Sequence, residues 1–422
     1  MTSKKLINRI AKEHNVEVKE DTIEKIKKEF TEEDFLKTLK ENYELIKLAI
    51  KEYIDIKEDY LEIITIWIIG TYFHKDFQTY PYLFINAMRG SAKTRLLKLI
   101  AALEKDGEVL NSLTESVLFR QNNPLGIDEF ESIGNKEKAS LRQLLNSSYK
   151  KGSKVKRMKK KKSAEGEEQV VEEFDVYRPI HLANIWGMEE VLGDRCISIF
   201  LEKSSNKAVT KLMEDYDTFP LINQIKDNFA KFSVVWCSVV TPKQYTLWHH
   251  FIKKKYEEAI TEPITTLYIK LHKTTLNYTN RVLFEKIDES EIDGRNLELF
   301  FPLFLVANRI GETTLTKIIE IAKKIVSERK IEEFTESKDV LFMSFIARQE
   351  DNEEFRKVKE LTTLFRAFVG EEDKDDDWLN TKWVGRALKR LSLIKTKRRY
   401  GEGIQVILDV KKAQEKMKIF NV

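Results

Sequence analysis

Residues 81–100 read PYLFINAMRGSAKTRLLKLI, and the class of fold turns on them. Tyr82 to Ile85 is a short apolar run of the kind that makes a buried strand. A turn with Arg89, Gly90 and Ser91 follows, then Lys93 and Thr94, then the helical pattern Leu96, Leu97, Leu99, Ile100. Strand, tight turn, Lys-Thr pair and helix are the parts of a phosphate-binding loop, whose backbone N–H groups and helix N-terminus face anionic oxygen. On this reading Ala87, Arg89, Gly90, Ser91, Ala92, Lys93 and Thr94 surround ATP. Lys93 reaches the β- and γ-phosphates, and the Thr94 hydroxyl helps to hold Mg²⁺. Ala87 and Ala92 stand where the pattern usually has glycine. Alanine costs little there if φ stays negative, though it keeps the backbone further from a ligand. The alternative is an ordinary strand–turn–helix with a surface lysine.

The rest of the nucleotide site has to come from downstream. Glu108 to Leu110 reads as a weak second strand, and Thr114 as a helix cap before Val117, Leu118 and Phe119. Leu125 to Ile127 reads as a third strand that ends in Asp128 and Glu129. An acidic pair at a strand's carboxyl edge, roughly 35 residues past the lysine, suits the Mg²⁺ shell (Asp128) and the polarisation of an attacking water (Glu129). A solvated acidic turn is the competing reading. Pro179 to Asn184 is a fourth strand whose polar tip, Asn184, suits a γ-phosphate or the lytic water. Arg195 directly precedes a fifth strand, Cys196 to Leu201, and fits an arginine finger that reaches a neighbouring subunit's nucleotide. That role requires a ring or stack of subunits. A surface arginine paired with Asp194 is the plainer reading.

Between the third and fourth strands, after a helix over Lys136 to Ser147, lies KKGSKVKRMKKKKSAEGEEQVVEEF, residues 150–174. Its first half is basic and its second acidic. Such blocks are usually solvated. This one is too long for a plain connection inside a compact domain. It reads as a hairpin presenting Lys151, Lys154, Lys156, Arg157 and Lys159 to Lys162, Lys160 among them, to a phosphate backbone, with the acidic half available to pair with the basic half.

Composition bounds the rest. The chain has 422 residues, 42% of them hydrophobic and 34% charged, with a net charge of +4, so any affinity for a polyanion must be local. Cys196 and Cys237 make no disulfide framework and no zinc pair, and point to a reducing, cytoplasmic setting without zinc. The N-terminus lacks the apolar core of a signal peptide, and Leu61 to Phe73 is too short to span a bilayer, so no membrane association is expected.

Residues 1–78 read as a helical segment, with Thr31 and Asp34 as a capping box. Residues 335–422 read as a separate module. Phe355 to Val369 has helical periodicity, and EEDKDDD, 371–377, is an acidic turn. Asn380 caps a helix with Trp383, Val384, Ala387, Leu388 and Leu391 inward and Lys382, Arg386, Lys389 and Arg390 outward. Two strands with Gly401 and Gly403 in their turn follow, and Lys397, Arg398 and Arg399 lie on them. Helix and basic wing make a winged helix-turn-helix, with the helix facing a DNA groove and the wing facing phosphates. A protein-binding winged helix is the alternative.

Together, GSAKT, IDEFE, a charged hairpin before an Asn-tipped strand, and an Arg entering the next strand resemble the AAA+ motor of the MCM replicative helicases. The likeness is closer to the MCM-like ATPases of archaeal plasmids and viruses. The resemblance implies an α/β P-loop core over 79–205, with Lys93, Thr94, Asp128 and Glu129 as the ATP site, Asn184 as sensor 1 and Arg195 as the arginine finger. The segment DGRNLELFFPLFLVANRIG, 293–311, is similar to the family's lid-helix motif, which makes Arg295 sensor 2, acting in cis or in trans within a helical lid over 206–330. The N-terminus departs from the family, which carries an oligonucleotide-binding barrel there. The expected function is an ATP-dependent DNA helicase or translocase of a mobile element, working as a hexameric ring. The alternatives are a DNA-binding initiator or regulator with little ATPase activity, and an ATPase that loads or packages DNA.

Overall fold

The computed structural model describes residues 31–88, 90–111, 113–120, 123–128, 139–163, 166–184, 190–239, 243–256, 278–336, 338–370, 379–400 and 403–418. The expectations for Arg89, Glu129, Gly401, the acidic turn at 371–377 and the first 30 residues lie outside them, as do the side chains of residues 159–169. The chain divides into two compact units, Met1–Lys323 and Lys324–Val422.

The described residues of unit one form seven strands: β1 (Tyr82–Ala87), β2 (Glu108–Leu110), β3 (Leu125–Ile127), β4 (Lys154–Ser163), β5 (Gly166–Asp175), β6 (Ile180–Asn184) and β7 (Cys196–Leu201). Five of them form an all-parallel sheet in the order β2-β3-β6-β1-β7. Parallel neighbours cannot be joined by tight turns, so helical crossovers cover the sheet and its strands read as continuous apolar runs. Tyr82, Leu83, Ile85, Leu125, Ile180, Leu182 and Ile199 are all fully buried. β4 and β5 stand apart as an antiparallel two-stranded hairpin inserted between β3 and β6.

Before the sheet come helices α1 (Glu32–Tyr53) and α2 (Glu58–Thr71). The capping box forms as expected: Asp34 N–H donates to Thr31 Oγ1 at 3.1 Å, and Thr31 N–H to Asp34 Oδ2 at 2.9 Å. Helix α2 is apolar on every side and buried from Leu61 to Thr71. The Trp67 indole N–H donates to the Pro81 carbonyl at 2.8 Å, which ties α2 to the start of β1.

These helices also hold a charged centre that periodicity does not reveal. Glu62 is fully buried. It accepts from Tyr43, from Lys47 at 2.7 Å and from Lys317 at 2.6 Å. Burial pushes its carboxyl up, but the hydrogen bonds from Lys317, Lys47 and Tyr43 outweigh burial and hold it below the usual carboxylate range. A depressed folded pKa gives stability that is present above the unfolded carboxylate pKa and lost as pH falls through the folded one. Glu62→Ala should cost about 3–5 kcal/mol at pH 7, since it strands buried cations. That loss should shrink as pH falls below the carboxylate range, which urea titrations of both proteins from pH 7 to pH 3 will show.

After β7 the described residues of unit one form the helices Lys207–Thr210, Pro220–Val239, Lys243–Tyr256, Tyr278–Asp288 and Gly294–Ile310. The helix Glu312–Glu336 spans the boundary between units.

Unit two contains the helix Lys338–Ala347, strand β8 (Arg356–Lys357), the helices Val358–Val369 and Thr381–Arg390, strands β9 (Ile394–Tyr400) and β10 (Gly403–Leu408), and the helix Val410–Met417. The sheet is antiparallel in the order β8-β10-β9. Periodicity over Phe355 to Val369 pointed to helix throughout. The helix instead begins at Val358, and Arg356 and Lys357 pair with Val406 and Gln405. Two residues are too few to show an alternating pattern, so sheet pairing decided them. Asn380 caps its helix, accepting from Lys382 N–H at 3.1 Å and Trp383 N–H at 3.0 Å.

Candidate functional site

The parallel sheet places its carboxyl ends together, and a crevice beyond such ends is where ligands bind in open α/β folds. At the end of β1 the chain turns through Gly90, at φ +79°, and Ala92, at φ 62°, and enters helix α3 (Lys93–Leu103). The condition under which alanine costs little, a negative φ, is therefore not met at Ala92. The turn needs a left-handed residue directly before the helix, and alanine takes it at a cost of about 1–2 kcal/mol. Ala92→Gly should raise stability by a net ~0.5–1 kcal/mol, after the entropy that glycine adds to the unfolded chain, measured as a shift in the urea midpoint.

Three expected residues meet here. Thr94 Oγ1 donates to Asp128 Oδ2 at 2.7 Å, and Lys93 Nζ lies 4.0 Å from Asp128 Oδ1. Asp128 follows β3 and is only 6% exposed. The side chain of Ala92 provides no cap for α3, so the first N–H groups of the helix lack that partner. The hydroxyl of Ser91 is buried without a hydrogen-bond partner. The start of the helix thus combines N–H groups without a side-chain cap and, beside them in the chain, a buried hydroxyl. Asn184 is buried at the carboxyl tip of β6, in register with Asn86 of β1, and so belongs to the same edge. Ala87 closes β1 beside Leu201. A hydroxyl and a carboxylate in contact fit a Mg²⁺ ion, which keeps most of its water and takes one or two protein oxygens beside phosphate.

The two expected arginines lie at the other end. Tyr82 N–H donates to the Arg195 carbonyl at 3.0 Å, which fixes Arg195 at the amino edge of β7. Its Nε donates to Asn146 O at 2.9 Å, its Nη1 to Val191 O, and its guanidinium lies 5.2 Å from the Tyr149 ring centre. Arg295 joins it there. Its guanidinium is also 5.2 Å from the Tyr149 ring, its Nε is 3.2 Å from Asp194 Oδ2, and Nη1 contacts Glu298. The expected alternative, Arg195 paired with Asp194, is not what forms: Asp194 holds Arg295. The length of β1, about 17 Å, separates this cluster from Lys93.

The hairpin is a charge ladder. Lys154 faces Asp175, Lys156 faces Glu173 and Arg157 faces Glu172 in register. Glu173 lies 2.9 Å from Lys154 and 3.0 Å from Lys156, whose hydrogen bonds hold its carboxyl down at about 2. Arg157 pairs with Glu115 of helix α4 (Glu115–Arg120) and lies over the Phe119 ring. Lys151 turns back to the Lys75 carbonyl. Lys159 and Lys160 lie on β4, where the register sets Val170 and Gln169 opposite them.

In unit two, Lys382, Arg386 and Lys389 form one exposed face of their helix, and Lys397 and Arg399 are exposed on β9. Two expected contacts have other partners. Arg390 Nε donates to Asp339 at 2.8 Å. Arg398 stacks 3.7 Å over the Phe355 ring and donates to Gln405 at 2.8 Å.

Sequence reasoning missed several groups. A methyl group at Gly90 would lie 3.8 Å from Lys203 Cε, so an exposed lysine just past β7 overhangs the loop. A lysine directly after the fifth strand was the available signal. Arg95 binds the carbonyls of Val209 and Leu212 at 2.9 and 2.8 Å, holding the segment after β7 to α3. Below the loop helix, His181 and Glu104 are fully buried 3.7 Å apart. Burial lowers His181 to about 3 and pushes Glu104 well up, so the pair is neutral.

No protein-family model and no curated protein matches this chain. Two solved structures show a distant likeness. The A-form apo structure of the NrS-1 C-terminal region is 12% identical, with a TM-score of 0.34, over 86% of this chain and 75% of that one. The A-form apo structure of that region spanning 305–718 is 11% identical, with a TM-score of 0.32 and the same coverage. Similarity at that level says nothing about function, which rests on the residues of this chain. Among the described residues no helix is long and apolar enough to cross a membrane, and no group of three or more His, Cys, Asp or Glu could hold a metal ion.

Proposed function

We propose that this protein is an ATP-driven motor that moves along or unwinds DNA, of the MCM-like AAA+ type, with ATP sites between subunits of a ring. One observation carries the reading: Lys93, Thr94 and Asp128 converge at the carboxyl edge of a parallel sheet around a turn with an unpartnered buried hydroxyl. Lys93 would neutralise the β- and γ-phosphates, and the N–H groups of the turn would cradle them. Bound Mg²⁺ would supply charge neutralisation of the phosphate oxygens, with Thr94 and Asp128 as its protein partners. Glu129, next in the chain, is proposed to polarise water, and Asn184 to orient it. Arg195 and Arg295 sit at the far edge and would serve the nucleotide of an adjacent subunit. The helices after β7 would form the lid.

The hairpin is the proposed DNA grip. Its cross-strand carboxylates mean that phosphates must compete for Lys154 and Lys156, so affinity should fall steeply with salt. Unit two is proposed to be a winged helix, a reading supported by its three-stranded antiparallel sheet and flanking helices, and Lys382, Arg386 and Lys389 would face DNA. That exposed basic face alone supports the second reading, a DNA-binding initiator or regulator with weak ATPase activity. Phosphate release measured with ATP, with and without single- and double-stranded DNA, separates the two. The motor requires turnover that DNA increases, and turnover at the no-enzyme background in both conditions would leave only the regulator.

A further inference from the structure

We infer that Glu298 is a positioning residue that couples the hairpin to the arginine cluster, so that DNA held by the hairpin and phosphate held by Arg295 compete through one carboxylate. The inference deepens the motor reading and rests on it.

Glu298 lies one turn past Arg295 on the helix Gly294–Ile310. Its two oxygens have different partners. Oε2 contacts Arg295 Nη1, and Oε1 accepts from Lys150 Nζ at 2.8 Å. Lys150 belongs to the short segment that leads into the hairpin, and each residue of that segment is tied down. The guanidinium groups of Arg195 and Arg295 each lie 5.2 Å from the Tyr149 ring centre, and the Tyr149 carbonyl accepts from Tyr80 N–H at 2.9 Å. Lys150 bridges Thr79 across an antiparallel contact, and Thr79 Oγ1 in turn donates to the Glu298 carbonyl at 2.8 Å. Lys151 N–H donates to Gln78 O at 2.9 Å. The next residue, Gly152, has φ +89° with open space where a side chain would be, and after it the strand begins. The root of the hairpin is thus anchored up to a left-handed glycine, beyond which Val155 still packs into the core.

The energetic logic is that of a shared ligand. While both cations are present, Glu298 divides between them. When a neighbour's phosphate takes Arg295, the carboxylate has Lys150 to itself and holds the root more firmly. When DNA phosphate draws Lys150 away, the carboxylate turns fully to Arg295. Each event opposes the other, and by linkage the opposition is mutual. Lys150 and Glu298 are 55% and 26% exposed, so solvent screening keeps the effect moderate.

The test measures DNA affinity of the full chain by fluorescence anisotropy, with and without a non-hydrolysable ATP analogue and Mg²⁺. Wild type should bind DNA ~2- to 5-fold more weakly with the analogue. Glu298→Gln should bring the two affinities together, and Glu298→Asp should keep part of the difference. Wild type whose DNA affinity ignores the analogue, or Glu298→Gln that keeps the full difference, overturns the coupling and leaves the motor reading intact. Wild type that binds neither nucleotide nor DNA overturns both. Amide exchange without ligands supplies an independent reading. Glu298→Gln should speed exchange at Lys150 and Lys151 but not in β1, and unchanged exchange there counts against the link.

Discussion

Lys93→Ala should lower ATP turnover by about 100- to 1,000-fold or more, and Asp128→Asn by a similar factor. The expectation follows from geometry. The Lys93 ammonium lies 4.0 Å from a carboxylate that is almost fully buried, and the same carboxylate accepts from Thr94. Around a carboxylate as buried as Asp128, charge interactions are stronger than at a surface, so solvent makes up a lost charge only in part. The two variants should fail differently. Lys93→Ala removes the cation that meets phosphate and should weaken nucleotide binding with or without Mg²⁺. Asp128→Asn keeps a polar partner for Thr94 and should weaken binding mainly when Mg²⁺ is present. Nucleotide titration by fluorescence, with and without Mg²⁺, reads that difference, and circular dichroism melting checks that both variants fold. Wild-type turnover in Lys93→Ala would remove this loop from the chemistry.

Arg195→Ala should be as damaging, by about 1,000-fold, yet leave nucleotide binding to the isolated subunit unchanged. Arg195 sits at the amino edge of the sheet, about 17 Å from the loop of its own chain, beyond the reach of its side chain. The proposed role for Arg195 therefore requires a triphosphate held by a neighbouring subunit. Mixing supplies the decisive measurement. Lys93→Ala and Arg195→Ala are each inactive alone. In random assemblies about a quarter of the boundaries pair an intact Lys93 with an intact Arg195, one half times one half, so the mixture should recover up to that share of wild-type turnover. No recovery, in assemblies shown by light scattering to contain both variants, would mean that Arg195 does not work in trans. Arg295 lies against the same tyrosine, so Arg295→Ala should complement Lys93→Ala in the same way. That result would place a residue whose own sequence context left cis and trans action equally open.

Much of this was legible before any fold was known, and what was legible was local. Glu108 to Leu110, Leu125 to Ile127 and Cys196 to Leu201 form strands at the expected residues, because short apolar runs between breakers have few other uses. The caps at Thr31 and Asn380 form because a side chain and an N–H two or three residues away need nothing else. The basic and acidic halves of residues 150–174 pair because they are close in the chain and opposite in charge. Legibility failed where a residue's state is set by distant neighbours. Arg356 and Lys357 were absorbed into strand by β10, and Ala92 was forced to a left-handed backbone by the turn. Asp194 was taken by Arg295, 101 residues away in sequence.

By itself, then, the amino-acid order determined which segments are strand or helix, where caps and turns fall, and which residue types could bind phosphate, because those properties depend on a few adjacent residues. Only the tertiary structure decided the strand order, the meeting of Lys93 with Asp128, the removal of Arg195 and Arg295 to the opposite edge, and the buried Glu62 centre. The reason is physical. A parallel sheet sends each strand to its neighbour through a long crossover, so which residues become adjacent depends on how whole layers pack, and no short window of sequence contains that information.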